Sequence, residues 1–319
     1  MSPPPRIGIS SCLLGETVRH DGGHKRDPFL VRTLGPHVEW VPVCPEVELG
    51  LGTPRETIRL VRDRRELDDV RLATGTGEVD LTKRMRRFAR QRVRTLAKEA
   101  LSGYILKKDS PSCGMERVKV WNAKGSSERS GRGLFAAELI AQIPNLPVEE
   151  EGRLHDPRLR ENFIDRIFAY RRLRGVLSGR RSVGDLVRFH AAHELVLMAH
   201  SPRAYRKLGR LVADAKDLPR TELSRRYENA FMAAMAQPAS PARHANALLH
   251  AVDHFKRTLD QQSRQELVAV IEDYRQGLMP LVVPLTLVHH HARRLRTTYL
   301  LEQRYLGPEP EELMLRSHV

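Results

Sequence analysis

The sequence predicts an α/β domain, with an open, mostly parallel sheet and flanking helices, followed by an all-α domain. Three observations predict it. Up to about residue 145 short β-type runs alternate with Gly, Pro and Ser punctuation, and beyond it the pattern is helical almost throughout. All three cysteines lie in the first 113 residues, while 11 of the 14 histidines follow residue 150. Only 4 of the 21 glycines follow residue 181, so the second half is poor in the residues that turns between strands use. A length of 319 residues suits two such domains.

The elements follow in order. RIGIS (6–10) runs into SCLLG, VEWVPV (38–43) into CPE, and SGYILK (102–107) into KDSPSCG, so three strands each end in a cysteine-bearing loop. LTKRMRRFARQRVRTLAKEAL (81–101) has a helical period, with Leu81, Met85, Phe88, Val93 and Leu96 available to face a sheet. GLFAAELIAQI (133–143) supplies another helix. Strand, loop, helix order favours parallel strands. IPNLPVEEEG (143–152), with two prolines, three glutamates and a glycine, reads as a boundary and sets the domains at 1–148 and 149–319. Helices are expected at 157–174, 182–199, 203–215, 220–236, 240–260, 263–277 and 284–304.

The composition narrows the function classes. Apolar residues make up 40% of the chain, which excludes a disordered one. The formal charge is +15, from 26 basic and 20 acidic residues up to residue 150 and 28 and 19 beyond it, or +6 and +9. Both halves attract polyanions, of which nucleic acid is the commonest. The longest apolar stretch, LMPLVVPLTLV (278–288), is 11 residues with two prolines, against the roughly 20 a membrane span needs. MSPPPR lacks the apolar segment of a secretory signal, so a cytoplasmic protein with reduced thiols is expected.

Cys12, Cys44 and Cys113 therefore do not form a disulfide framework, and their spacings match no CxxC metal pattern. Loops at the carboxyl ends of strands in an open α/β sheet converge on one crevice. Three thiols meeting there without a fourth would leave one metal position open to substrate. The competing reading is three small apolar side chains packed in turns.

SSCLLGETVRHDGGHK (10–25), PVCPEVELGLGTPRE (42–56) and LKKDSPSCG (106–114), in that order, resemble the thiouracil desulfidase family over roughly residues 5–148. The resemblance implies that Cys12, Cys44 and Cys113 hold a 4Fe-4S cluster whose fourth iron has no protein sulfur, and that Glu46 and Ser110 act in catalysis. LPVEEEGRLHDPRLRENF, VRFHAAHELVLMAHSP, YRKLGRLVA and LVVPLTLVHHH resemble a helical module often fused to that domain. Such fusions resemble enzymes that remove sulfur from 4-thiouridine in transfer RNA. Glu194 departs from the module's pattern, where a basic residue is usual.

The implied reaction converts 4-thiouridine to uridine with release of hydrogen sulfide, a non-redox hydrolysis in which the open iron takes the leaving sulfur. Glu46, two residues from Cys44, is then the general base. Ser110, stiffened by Pro111, donates to the charge developing at N3 or sulfur, or caps its own loop as turn serines do. Asp109 and Ser112 share that ambiguity as substrate-binding candidates. In the glycine-rich turn, Arg19 and His24 either contact substrate or shape the turn. Lys107 and Lys108 belong at the rim.

Two helical faces are candidate RNA surfaces: Lys83, Arg87, Arg90 and Arg94, and Arg203, Arg206, Lys207 and Arg210. Arg171, Arg172, Arg174, Arg180 and Arg181 form a third basic group. A solvated face is the alternative meaning of each. His190, His193 and His200, and His289, His290 and His291, fit core or RNA-contact positions better than a zinc motif. The expected partner is tRNA, with no membrane, and the oligomeric state is open. Two alternatives remain: a desulfidase of free thiouracil or thio-nucleotides with a helical domain for oligomerisation, which the +9 of that domain disfavours, and a non-catalytic iron-sulfur RNA-binding protein, which Glu46 and Ser110 disfavour.

Overall fold

The computed structural model describes residues 3–62, 70–122, 124–178 and 182–309, together with Glu312 and Leu315. The chain forms two compact units, Met1–Phe163 and Ile164–Val319. In chain order the first runs β1 (Arg6–Ser10), β2 (Glu39–Val43), α1 (Pro45–Glu48), β3 (Ile58–Arg62), β4 (Val70–Thr74), α2 (Thr82–Leu96), β5 (Gly103–Leu106), β6 (Val118–Asn122), β7 (Ser127–Gly131), α3 (Leu134–Gln142) and β8 (Val148–Glu150).

The expected parallel sheet is there, in the order β2-β1-β5-β8 with every pairing parallel. Its central strands are buried throughout, which is why β1 and β5 read as unbroken apolar runs: Ile7, Ile9, Tyr104, Ile105 and Leu106 are inaccessible to solvent. Each such side chain contributes about 1.5–3 kcal/mol through burial. Gly8 is required by this packing, since a Cβ there would overlap the Tyr104 ring. Helix α2 buries Met85, Ala89, Val93 and Leu96 along one stripe, and Phe88, partly buried beside it, packs against the core of the second sheet.

A second, mixed sheet in the order β4-β3-β6-β7 was not legible in the sequence. Its strands intersperse Arg59, Arg62, Arg71, Lys119 and Arg129 among their apolar residues, and the buried side chains Leu60, Leu72, Val118 and Val120 pack with Leu49, Met85 and Leu134. The boundary segment also differs. Val148–Glu150 form β8, so a division at 148/149 falls inside a strand, and the two units divide within the following helix.

The second unit is helical: α4 (Pro157–Leu177, which begins in the first unit), α5 (Val183–Ala192), α6 (Glu194–His200), α7 (Pro202–Ala213), α8 (Arg220–Met235), α9 (Pro241–Asp253), α10 (Gln261–Arg275), α11 (Val282–Arg294) and α12 (Thr298–Glu302). Ser182, Ser201, Ser240 and Asp260 cap α5, α7, α9 and α10 by accepting from a backbone N–H three residues on. Such caps contribute about 1 kcal/mol each. The expected helix 182–199 is broken at His193, whose backbone leaves helical geometry (φ −113°, ψ 11°). The expected 284–304 helix is broken at Arg296, with φ 51°. Leu195, Ala199, Leu248, Val252, Phe255, Ile271 and Val288 form the core of α6, α9, α10 and α11. Among the described residues no helix is long and apolar enough to cross a membrane.

The histidines of this unit are mostly structural. His193 is buried, stacks on Phe189 at 4.0 Å between ring centroids and has Nδ1 2.7 Å from the Phe189 carbonyl. His190 Nδ1 lies 3.1 Å from Tyr227 Oη, and His200 Nδ1 2.8 Å from the Gln237 carbonyl.

Candidate active site

The cysteines are brought together by the parallel sheet. In register, Ser10 at the end of β1 sits beside Val43 at the end of β2, and Ile9 beside Ile105 of β5, so three loops leave one edge side by side. Cys12 lies in the single turn Ser11–Leu13, Cys44 immediately before α1, and Cys113 in the loop after β5. All three line one cavity of about 420 Å³, with Glu46, Arg55, Lys107 and Ser110. That volume falls within the usual range for ligand pockets, about 300–1,000 Å³.

The thiols do not ionise readily by themselves. Burial pushes Cys12 up to about 11, with the neighbouring Cys44 adding to the rise against an opposing pull from Lys107. Burial raises Cys44 and Cys113 too, and Glu46 and then Cys12 add to the rise at Cys113. Three crowded thiolates in a low-dielectric pocket need a bound cation to exist together, which is the chemistry of a metal-thiolate donor set. Among the described residues no three His, Cys, Asp or Glu side chains close on a single ion. The thiols instead stand around a cavity, and they fit a polynuclear iron-sulfur group as their occupant.

Beside them runs a hydrogen-bonded chain. Arg55, 6% exposed, forms an ion pair with Glu46, 14% exposed, and its Nε donates to Glu46 Oε2 at 3.1 Å. The rest of the guanidinium is fixed by the carbonyls of Val18 (3.0 Å) and Gly52 (2.9 Å). The Val18 carbonyl also accepts from the Cys44 thiol at 3.8 Å. On the other side Ser112 Oγ donates to Glu46 Oε1 at 2.6 Å, and Ser110 Oγ lies 3.0 Å from Ser112 Oγ. Ser110 Oγ also accepts from the backbone N–H of Cys113 at 3.1 Å, so it both caps its loop and faces the cavity. Gly133 lets the α3 segment approach this loop, since a Cβ there would overlap the Ser112 carbonyl.

The other candidates sort by position. Ser112 is 0% exposed, which removes it from substrate contact and makes it the link between Glu46 and Ser110. Asp109 lines the cavity with φ 60°, but its carboxylate binds Arg129 Nη1 at 2.5 Å, and this bond holds it below the usual carboxylate range. Arg19 lines the cavity, its Nε 3.6 Å from Asp21. His24 is exposed and outside the cavity lining, accepting from the Arg26 N–H at 3.2 Å to close its turn, while His20 is in the lining.

Sequence reasoning passed over three contributors. Arg55 stands in the quoted stretch GTPRE, so the signal was present without its partner being visible. Glu151 forms an ion pair with Lys107 and accepts from the Lys108 N–H at 2.8 Å, and Glu150 accepts from the Met115 N–H at 2.7 Å. The acidic run read as a domain boundary therefore fastens both ends of the Cys113 loop.

The basic faces lie on each unit separately. Lys83, Arg87, Arg90 and Arg94 are exposed on α2 and line a groove of about 750 Å³, where Arg90 Nε is 3.7 Å from Glu138. Arg203, Arg206, Lys207 and Arg210 are exposed on α7, and the last two line a groove of about 640 Å³ with Arg225 and Arg226 of α8. The third basic group does not form such a face. Arg171 is paired with Glu309 and Arg172 with Glu312 at 2.7 Å, both partly buried, and Arg180 and Arg181 lie outside the described residues.

A family model described as 2-thiouracil desulfurase matches residues 7–151, and one described as protein of unknown function (DUF1722) matches residues 194–310. The molecule is thus of the class that joins a cysteine-lined α/β desulfurase domain to a helical domain. The uncharacterized protein YbgA of Escherichia coli (strain K12) is 32% identical over 160 residues, 50% of this chain and 95% of that protein. The uncharacterized protein YbbK of Bacillus subtilis (strain 168) is 32% identical over 139 residues, 42% of this chain and 88% of that protein. Among solved structures, a [4Fe-4S]-dependent thiouracil desulfidase, TudS, is 28% identical, covering 48% of this chain and 94% of its own, with a TM-score of 0.36. The chain belongs to the 2-thiouracil desulfurase family.

Proposed function

We propose that the protein is a 4Fe-4S-dependent desulfidase that converts 4-thiouridine in tRNA to uridine, with the helical unit gripping the RNA. The observation that carries the chemistry is the cavity where three thiols meet the Arg55, Glu46, Ser112, Ser110 chain. The exposed arginines and lysines of α2 and α7, on a chain of +15, support a polyanionic substrate. The balance is thiocarbonyl plus water giving carbonyl plus hydrogen sulfide.

Cys12, Cys44 and Cys113 would hold the cluster, which would supply a thiophilic Lewis acid for the departing sulfur. The chain's own groups handle the protons. Arg55 holds Glu46 in place, and Glu46 takes a proton from the attacking water. While Glu46 is ionised, Ser112 donates to it and Ser110 to Ser112. Once Glu46 is protonated the direction reverses and a proton is presented at Ser110, which delivers it to the leaving hydrosulfide. Lys107 and Arg19 line the mouth, where phosphate or the nucleobase edge passes.

The test is anaerobic incubation of the cluster-reconstituted protein with 4-thiouridine-containing tRNA, followed by nucleoside analysis. Loss of 4-thiouridine matched by uridine and hydrosulfide is expected. Turnover of the free nucleoside without any of the tRNA overturns the substrate assignment, and no turnover of either overturns the activity.

A further inference from the structure

Glu194 is half-buried at the start of α6. Its Oε2 accepts from Tyr299 Oη at 2.8 Å. Among the described residues its other oxygen has no hydrogen-bond partner, and no cation lies within ion-pairing distance. Besides Tyr299, the rings of Tyr205, His190 and His254 lie near enough to feel its charge. Tyr299 stacks on His254 at 4.4 Å between centroids and 25° between planes, and His250 meets His254 edge-on at 5.4 Å. Tyr205, stacked with His190 at 6.2 Å and 8°, comes from the helix that carries Arg203 and Arg206. Tyr205, Tyr299 and Glu194 are half-buried and His254 is exposed, so the group reaches the surface beside that basic face.

An uncompensated carboxylate is a poor neighbour for phosphate. Its natural partner is a planar group that brings N–H donors. Unpaired bases in RNA are commonly held in this way, stacked on Tyr or His and hydrogen-bonded along the Watson–Crick edge. Guanine differs from the other bases in placing two donors, N1–H and the N2 amino group, side by side on that edge, which matches a carboxylate in a fork. Adenine and cytosine set a ring acceptor next to their amino group, and that acceptor would face the carboxylate oxygen. Two lone pairs on each oxygen allow Oε2 to keep the Tyr299 bond.

We propose that Glu194, held by Tyr299 and flanked by Tyr205 and His254, is a guanine-recognising subsite for an unpaired base of the RNA that the α7 cations hold. This rests on the RNA reading above. It gives the helical unit a base preference in addition to a phosphate grip.

The experiment measures binding of the full-length protein to unmodified RNA pentamers, UUGUU, UUAUU and UUIUU with inosine, so that it does not depend on desulfuration. GMP is a separate arm that distinguishes a free nucleotide from a base within RNA. UUGUU is expected to bind about tenfold tighter than UUAUU, with inosine between them because it lacks the amino group. Glu194→Gln removes the preference for UUGUU over UUAUU, and Tyr299→Phe reduces the preference while keeping the stacked ring. Helicity at 222 nm checks that each variant folds. Equal binding of the three pentamers by the wild-type protein, or an undiminished guanine preference in folded Glu194→Gln, overturns the subsite. GMP binding as tightly as UUGUU overturns its assignment to RNA.

Discussion

Both units carry paired charges and exposed cations, but they use the pairs differently. The first sets its pairs around a cavity: Glu46 with Arg55, Glu151 with Lys107, and at the margin Glu149 with Arg153. All three pairs lie at or next to loops that hold cavity residues. Buried pairs are poor sources of net stability but hold a geometry, because losing one partner leaves the other's desolvation uncompensated. The second unit buries histidines and leaves the cations of α7 on the surface. A fixed constellation suits bond chemistry, and a surface of independent charges suits a long polyanion.

The largest effects are expected in the first unit. Cys12→Ala, Cys44→Ala and Cys113→Ala each abolish cluster absorbance and bring turnover to background, since three-point thiolate ligation has no spare. A variant that keeps full iron, sulfide and rate removes the basis of the comparison. Next, Glu46→Gln and Ser110→Ala keep the cluster and lose on the order of 10²- to 10⁴-fold in kcat. Arg55→Ala strands a buried carboxylate and lowers the unfolding midpoint of this unit. If Glu46→Gln turns over at the wild-type rate, water is activated elsewhere.

Much of this site was legible because its parts are local. Each cysteine follows a strand within one loop, so strand and loop chemistry were enough to bring the three together. Arg55 was not singled out, because its function depends on Glu46, nine residues away across a turn. Ser112 was visible but misplaced: alternation along the loop does not reveal that its hydroxyl is fully buried. The second sheet was hidden by basic residues scattered through short strands, and β8 by an acidic run whose carboxylates are bound to backbone N–H groups. In the helical unit most helix ends were readable to within a few residues, but α9 stops at Asp253, seven residues short of the expected 260. The break at His193 comes from the tertiary burial of its ring, which no local signal carries.

A smaller effect separates the units by pH. Burial lowers the pKa of His190, His193, His254, His289 and His291, so each binds its proton more readily in the unfolded chain. Their contribution to stability is present above about pH 6.5 and is lost as the pH falls below it. In the first unit Asp21, Glu56, Asp80, Asp109 and Glu128 have lowered values, and the stability they provide is lost only below about pH 4. Both tryptophans, Trp40 and Trp121, belong to the first unit. Between pH 7 and 5 the thermal midpoint by helicity at 222 nm should fall by several degrees more than the midpoint by tryptophan fluorescence. Parallel shifts of the two midpoints contradict the separation.

On the proposed reading the first unit carries the chemistry and the second the RNA grip. The most direct measurement compares the full-length wild-type protein with the Arg203→Glu, Arg206→Glu, Lys207→Glu triple variant, both cluster-loaded, on 4-thiouridine tRNA and on free 4-thiouridine at two salt concentrations. The variant should turn over the free nucleoside at the wild-type rate, lose at least tenfold in kcat/KM on tRNA, and show a shallower salt dependence, because fewer counterions are released from the RNA. Equal losses on both substrates, or unchanged turnover of tRNA, would contradict the claim.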